Sequence, residues 1–111
     1  MANHVFRAWN APDVQRRTVH LDSHTAQRIA RAAQTADAPR SEIGRRAIAV
    51  GVNLPALPPE TEGRRTTILY IYLPAPLDLQ LLALANKHRI SIASAARRLI
   101  AAYVTQEDSR E

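Results

Sequence analysis

Slid along itself by 52 positions, the sequence falls on a second version of itself, and no other feature limits its fold as much. At that offset Arg45, Arg46, Ile48, Ala49 and Val52 land on the identical residues Arg97, Arg98, Ile100, Ala101 and Val104. Without any gap, Val19 also lands on Ile71, Leu21 on Leu73, Ile29 on Leu81 and Ala33 on Ala85. Residues 15–53 and 67–105 therefore read as two copies of one unit. Around them lie an amino-terminal arm (1–14), a proline-rich linker (54–66) and a short acidic tail (106–111).

Each copy carries the pattern strand, helix, helix. In the first, Arg17-Thr18-Val19-His20-Leu21 alternates with Val19 and Leu21 on one face, the period of a half-buried strand. Asp22 or Ser23 can cap a helix running to about Thr35, with Thr25, Ile29, Ala32 and Ala33 inward. Asp37-Ala38-Pro39 breaks it, and a second helix follows with Pro39 in its first turn, continuing through Ile43, Ala47 and Ile48 to Gly51 or Asn53. The second copy begins with a strand over 67–73 that Pro74 and Pro76 end. A helix from about Leu77 to His88 comes next, then Ser91 as N-cap of a last helix reaching about Thr105.

With 111 residues, 46% of them apolar and only 5% aromatic, the chain must build its core from Ala, Leu, Ile and Val. The absence of cysteine removes disulfides and thiolate metal sites, and a cytoplasmic setting is the default. The start of the chain lacks the apolar run of a signal peptide, and no stretch approaches a membrane span, so no membrane partner is expected. The net charge is +5, with Lys87 the one lysine among fourteen arginines. The copies hold the positive charge, +4 and +3, while arm and linker are neutral and the tail is −2. That bias suits nucleic acid, because guanidinium pairs bidentately with phosphate and guanine; genomic base composition can also enrich arginine.

The segments Arg17-Thr18-Val19-His20-Leu21-Asp22 and Pro39-Arg40-Ser41-Glu42-Ile43-Gly44-Arg45-Arg46 resemble the ribbon-helix-helix family of DNA-binding proteins. The likeness implies a mainly α fold with a two-stranded antiparallel β-ribbon, normally assembled from two chains because about 40 residues cannot bury a stable core alone. Two units in one chain then imply an intramolecular pseudo-dimer, its strands paired with each other and its assembly independent of protein concentration. Tandem versions of the family occur among accessory proteins of plasmid conjugation, whereas most single-unit members are repressors.

If Val19 and Leu21 point inward, Arg16, Thr18 and His20 point outward, and these are the candidate base-contacting residues of the first strand. On the second strand the same face carries Ile68, Tyr70 and Tyr72, a departure from the polar triplet typical of the family. Tyr70 and Tyr72 are candidates for bases, though such a face can also cover a protein. The family clamps phosphate at the start of each second helix, which points to Arg40 and Ser41, and in copy two to the backbone of Ser91, Ile92 and Ala93. The plain alternative is that Ser41 and Ser91 only cap or solvate a helix. Arg45, Arg46, Arg97 and Arg98 are read first as solvating a helix face or pairing with a carboxylate such as Glu42. Leu79 or Leu82 is free to seat a neighbour, and Phe6, Arg7 and Trp9 to pack or to follow DNA.

No metal, cofactor or catalytic role is expected. Asp22-Ser23-His24 has the residue types of a hydrolytic triad, but adjacent side chains diverge, so it reads as a strand-to-helix turn. The four histidines lack metal-binding spacing, and the three glycines form no phosphate loop. The leading reading is therefore a double-stranded DNA binder acting as a transcriptional repressor, able to self-associate on its site. Alternatives are a relaxosome accessory protein at a transfer origin, an antitoxin-like interaction module, and a DNA binder whose second copy is only a scaffold.

Overall fold

The computed structural model describes residues 13–109, which run strand, helix, helix twice over. Strand β1 (Val14–Asp22) is followed by helices α1 (Ser23–Ala36) and α2 (Arg40–Gly51). Strand β2 (Arg65–Pro74) is followed by α3 (Ala75–His88) and α4 (Ile92–Ser109). Phe6, Arg7 and Trp9 lie outside the described residues. Among those described, no helix is long and apolar enough to cross a membrane.

β1 and β2 pair antiparallel as a two-stranded sheet, from Val14 opposite Pro74 to Asp22 opposite Arg65. At its middle Thr18 faces Tyr70, the residue 52 positions further on, so the repeat and the ladder share one centre. On either side Arg16 faces Tyr72 and His20 faces Ile68, each pair being the other's image under the same offset. Alternation then sorts the side chains. Val19, Leu21, Ile71 and Leu73 are wholly buried and Leu69 nearly so, while Arg16, Thr18, His20, Ile68 and Tyr70 are exposed.

The helices start and stop for local reasons. Asp22 caps α1, its Oδ2 accepting from the Thr25 N–H at 3.0 Å and its Oδ1 from the Thr25 hydroxyl at 2.7 Å. Asp22-Ser23-His24 is thus the strand-to-helix turn that the sequence suggested. The Ser91 Oγ accepts from the Ser94 N–H at 3.0 Å in the same way at α4. Both first helices end on a left-handed residue, Asp37 (φ 53°) and Arg89 (φ 56°), again 52 apart. Closing bonds run from the Ala38 N–H to the Ala33 carbonyl and from the Ile90 N–H to the Ala85 carbonyl, both 3.0 Å. Two prolines differ from expectation. Pro39 is the N-cap of α2 rather than part of its first turn, and Pro76, expected to end a strand, sits in the first turn of α3, where a missing N–H is harmless.

Packing crosses between the copies: α2 lies under β2 and α4 under β1. Each copy's second helix therefore supports the other copy's strand, and Val19, Ile29, Ile48, Ile71, Leu81, Leu99 and Ile100 form one core. Residue sizes are traded across it. A Cβ on Gly44 would stand 2.5 Å from the Ile71 Cγ2, so glycine there admits isoleucine; at the equivalent place Ala96 lines a recess with the smaller Val19. Gly51 likewise gives way to Leu99, whose counterpart is Ala47.

Charge is traded too. Arg17 has the inward parity of Val19, and its Nε and Nη2 donate to the two carboxylate oxygens of buried Asp78 at 2.8 and 2.7 Å. The corresponding residues in the other half are Leu69 and Ala26, an apolar pair. A copy-two unit paired with another copy two would bury Asp78 beside leucine, so the ion pair selects unlike partners. Removing Arg17 alone (Arg17→Leu) should cost about 2–4 kcal/mol by stranding that carboxylate, the solvent-exposed side of the pair softening the loss. The double change Arg17→Leu/Asp78→Ala, which copies the apolar half, should recover most of it in urea melts. A double mutant as unstable as the single one would show that the pair does not act as a unit.

Candidate nucleic-acid interface

A two-stranded sheet with helices on one side leaves its other side open, and here that side collects all five candidate base-contacting residues. Arg16, Thr18 and His20 stand along β1 opposite Tyr72, Tyr70 and Ile68 of β2. Ile68 is 52% exposed and Tyr70 45%, whereas Tyr72 is half-buried. The Arg16 guanidinium carbon lies 5.2 Å from the Tyr70 ring centroid, a diagonal cation–π contact across the ladder that holds the arginine over the centre of the face. The face is chemically divided. One strand offers guanidinium, hydroxyl and imidazole groups, the other two phenols and an aliphatic side chain.

Helix starts flank this face, one beside each strand. Arg40, exposed, opens α2, and next to it Ser41 lines an open recess of about 390 Å³ with Val14, Glu42, Arg45, Tyr72 and Pro74. Under β1, half-buried Ile92 and Ala93 line a smaller recess of about 190 Å³ with Arg16, Arg17 and Thr18. Ser91 is exposed, and its Oγ accepts the α4 capping bond, so capping is its visible work. The two helix starts thus border the open face, with unequal side chains.

The four arginines that repeat in phase are held by carboxylates. Glu42 accepts from Arg45 Nε and Nη2, both at 2.7 Å, and from Arg46 Nε at 2.9 Å, the i+3 and i+4 neighbours on one helix. Copy two has Ser94 where copy one has Glu42, and the missing carboxylate comes from the linker. Glu60 accepts from Arg97 Nε at 3.0 Å and Nη2 at 2.8 Å, and from the Ser94 hydroxyl at 3.0 Å. Arg65 and Arg98 complete the cluster at 3.5 and 3.8 Å. The proline-rich linker is thus docked on α4 by this residue. Nothing local in the sequence marks Glu60, since its partners lie up to 38 positions away.

These contacts hold both carboxyl groups in the charged form. Hydrogen bonds from Arg45 lower Glu42 from the ordinary 4.5 to about 2 against an opposing effect of burial, and Arg97 does the same for Glu60. A carboxylate with a depressed folded-state pKa stabilises above its unfolded value and loses that contribution as pH falls toward the folded value. Stability should therefore decline between about pH 5 and pH 2, and Glu60→Gln should flatten part of that decline in acid titrations followed by circular dichroism. An unchanged acid limb would remove Glu60 from the linkage. In comparisons with protein families, curated proteins and solved structures, nothing matches the chain.

Proposed function

We infer that the chain is a tandem ribbon-helix-helix protein, an intramolecular pseudo-dimer that binds double-stranded DNA by inserting its β-ribbon into the major groove. The observation that carries this reading is the open face of the sheet. Arg16, Thr18 and His20, with Tyr70 and Tyr72, share one surface on a ribbon narrow enough for the groove, and a helix start stands on either side. Arg16 would take guanine O6 and N7, Thr18 and His20 would serve as donor or acceptor, and the phenols and Ile68 would meet bases or thymine methyls. Arg40 and Ser41 would grip phosphate, together with the backbone at Ser91, Ile92 and Ala93.

The positive charge of the repeats supports the same reading, since phosphate contacts supply most non-specific affinity. In a cell such a protein would act without catalysis, in the cytoplasm, as a repressor that covers its operator. The unlike strands favour a site without dyad symmetry. For that reason marking a directional locus, such as a transfer origin, is the second reading. Finding the bound site beside a nick rather than upstream of a promoter would select it.

Selection from a randomised duplex library should return one non-palindromic motif. On that motif Arg16→Ala should cost about 1–3 kcal/mol and relax preference at one base pair, while Arg40→Ala weakens selected and random duplexes alike. Equal losses for Arg16→Ala on both duplexes would remove its base-reading role.

A further inference from the structure

The two ends of the open face are not equally equipped, and the lack at one end is met from an unexpected place. Ser41 stands at the end bearing Val14, Tyr72 and Pro74, and Arg40 precedes it as the first residue of α2. Their counterparts, Ile92 and Ala93, bring no polar side chain. At the end of the sheet away from Ser41, where His20 faces Ile68, the chain comes out of the linker through Gly63 and enters β2 with Arg64 and Arg65. Gly63 has φ +102°, a conformation that other residues rarely adopt, and it supplies the turn that delivers the two arginines. Both are exposed. The position equivalent to Arg65 in the first copy is Asp13, which reverses the charge there.

Arg65 is also placed by contact. Its Nη2 lies 3.5 Å from the Glu60 Oε2, the oxygen that accepts from the Ser94 hydroxyl at 3.0 Å, so its guanidinium stands beside the first turn of α4. Arg97 already satisfies Glu60 with two bonds, and Arg98 approaches it at 3.8 Å. Three guanidiniums share the one Glu60 carboxylate, so not all of their charge is neutralised by it before Arg64 is added. We propose that Arg64 and Arg65 are the phosphate-contacting residues of the second half of the DNA site, replacing on the strand what Arg40 supplies on the helix at the first. The proposal rests on the DNA reading of the open face and adds to it a polarity: cations from a helix at one flank, from the linker at the other.

The test uses the full chain and a duplex selected by the wild-type protein from a randomised library. Each lost phosphate contact lowers the slope of log affinity against log salt by about 0.9, so Arg64→Ala/Arg65→Ala should flatten it by up to twice that. Phosphate ethylation should cease to interfere at one flank only, opposite the flank that Arg40→Ala erases. Because Arg65→Ala also removes a Glu60 contact, thermal melts are compared, and Arg64→Ala alone should still lower the slope. Replacing both by lysine should restore it, since point charge suffices for phosphate. An unaltered slope and footprint in the double-alanine variant, with Arg40→Ala still effective, would overturn this assignment and leave the DNA reading intact. Failure of the wild-type protein to bind any duplex would overturn both.

Discussion

The pairing of β1 with β2 is the contact on which everything else in this molecule depends. Neither strand has a partner in its own copy, and neither copy's second helix packs chiefly on its own strand: α2 supports β2 and α4 supports β1. A unit of this size cannot exclude water from Val19 or Ile71 by itself, and burial of aliphatic side chains is the main favourable contribution to folding. The ladder centred on Thr18 and Tyr70 fixes the register in which both sets go inward together. A slip of one residue would turn Val19, Leu21 and Ile71 to solvent, so the inner face enforces the outer one.

Around that centre the halves are alike in backbone and unlike in side chains, and the differences compensate. Ile71 is accommodated by Gly44 where Val19 meets Ala96, and Leu99 by Gly51. An Arg17–Asp78 ion pair in one half answers to leucine and alanine in the other. Glu42, which organises two arginines within its own helix, is replaced in copy two by Glu60 reaching in from the linker. Each exchange keeps volume or charge roughly constant while making the halves non-interchangeable. The open face follows the same course, hydrogen-bonding groups along one strand and phenols with an aliphatic side chain along the other.

Much of this was legible in the sequence because it depends on short spacing. Alternation marks Val19, Leu21, Ile71 and Leu73 as inward and sends Arg16, Thr18 and His20 out, and the offset of 52 relates the two copies. Capping by Asp22 and Ser91 could be read from residue type next to a strand or turn. What escaped depends on distance along the chain. Nothing beside Arg17 announces its ion pair, because the partner is 61 residues away, and Glu60 lies in a linker that sums to zero charge. The left-handed ends at Asp37 and Arg89 carry no glycine to announce them. In α3, five leucines within eight residues blur the buried stripe, which is only Asp78, Leu81 and Ala85 and leaves Leu79 63% exposed.

Pairing the two strands within one polypeptide also changes how the protein responds to scarcity. When an assembly needs two separate molecules, its amount falls with the square of their concentration once they are dilute, and the structure itself is lost with it. Here every chain carries its own complement, so halving the number of chains halves the number of complete sheets and no more. A cell holding only a few copies would keep nearly all of them assembled, so that scarcity would lower the number of folded ribbons without dismantling them.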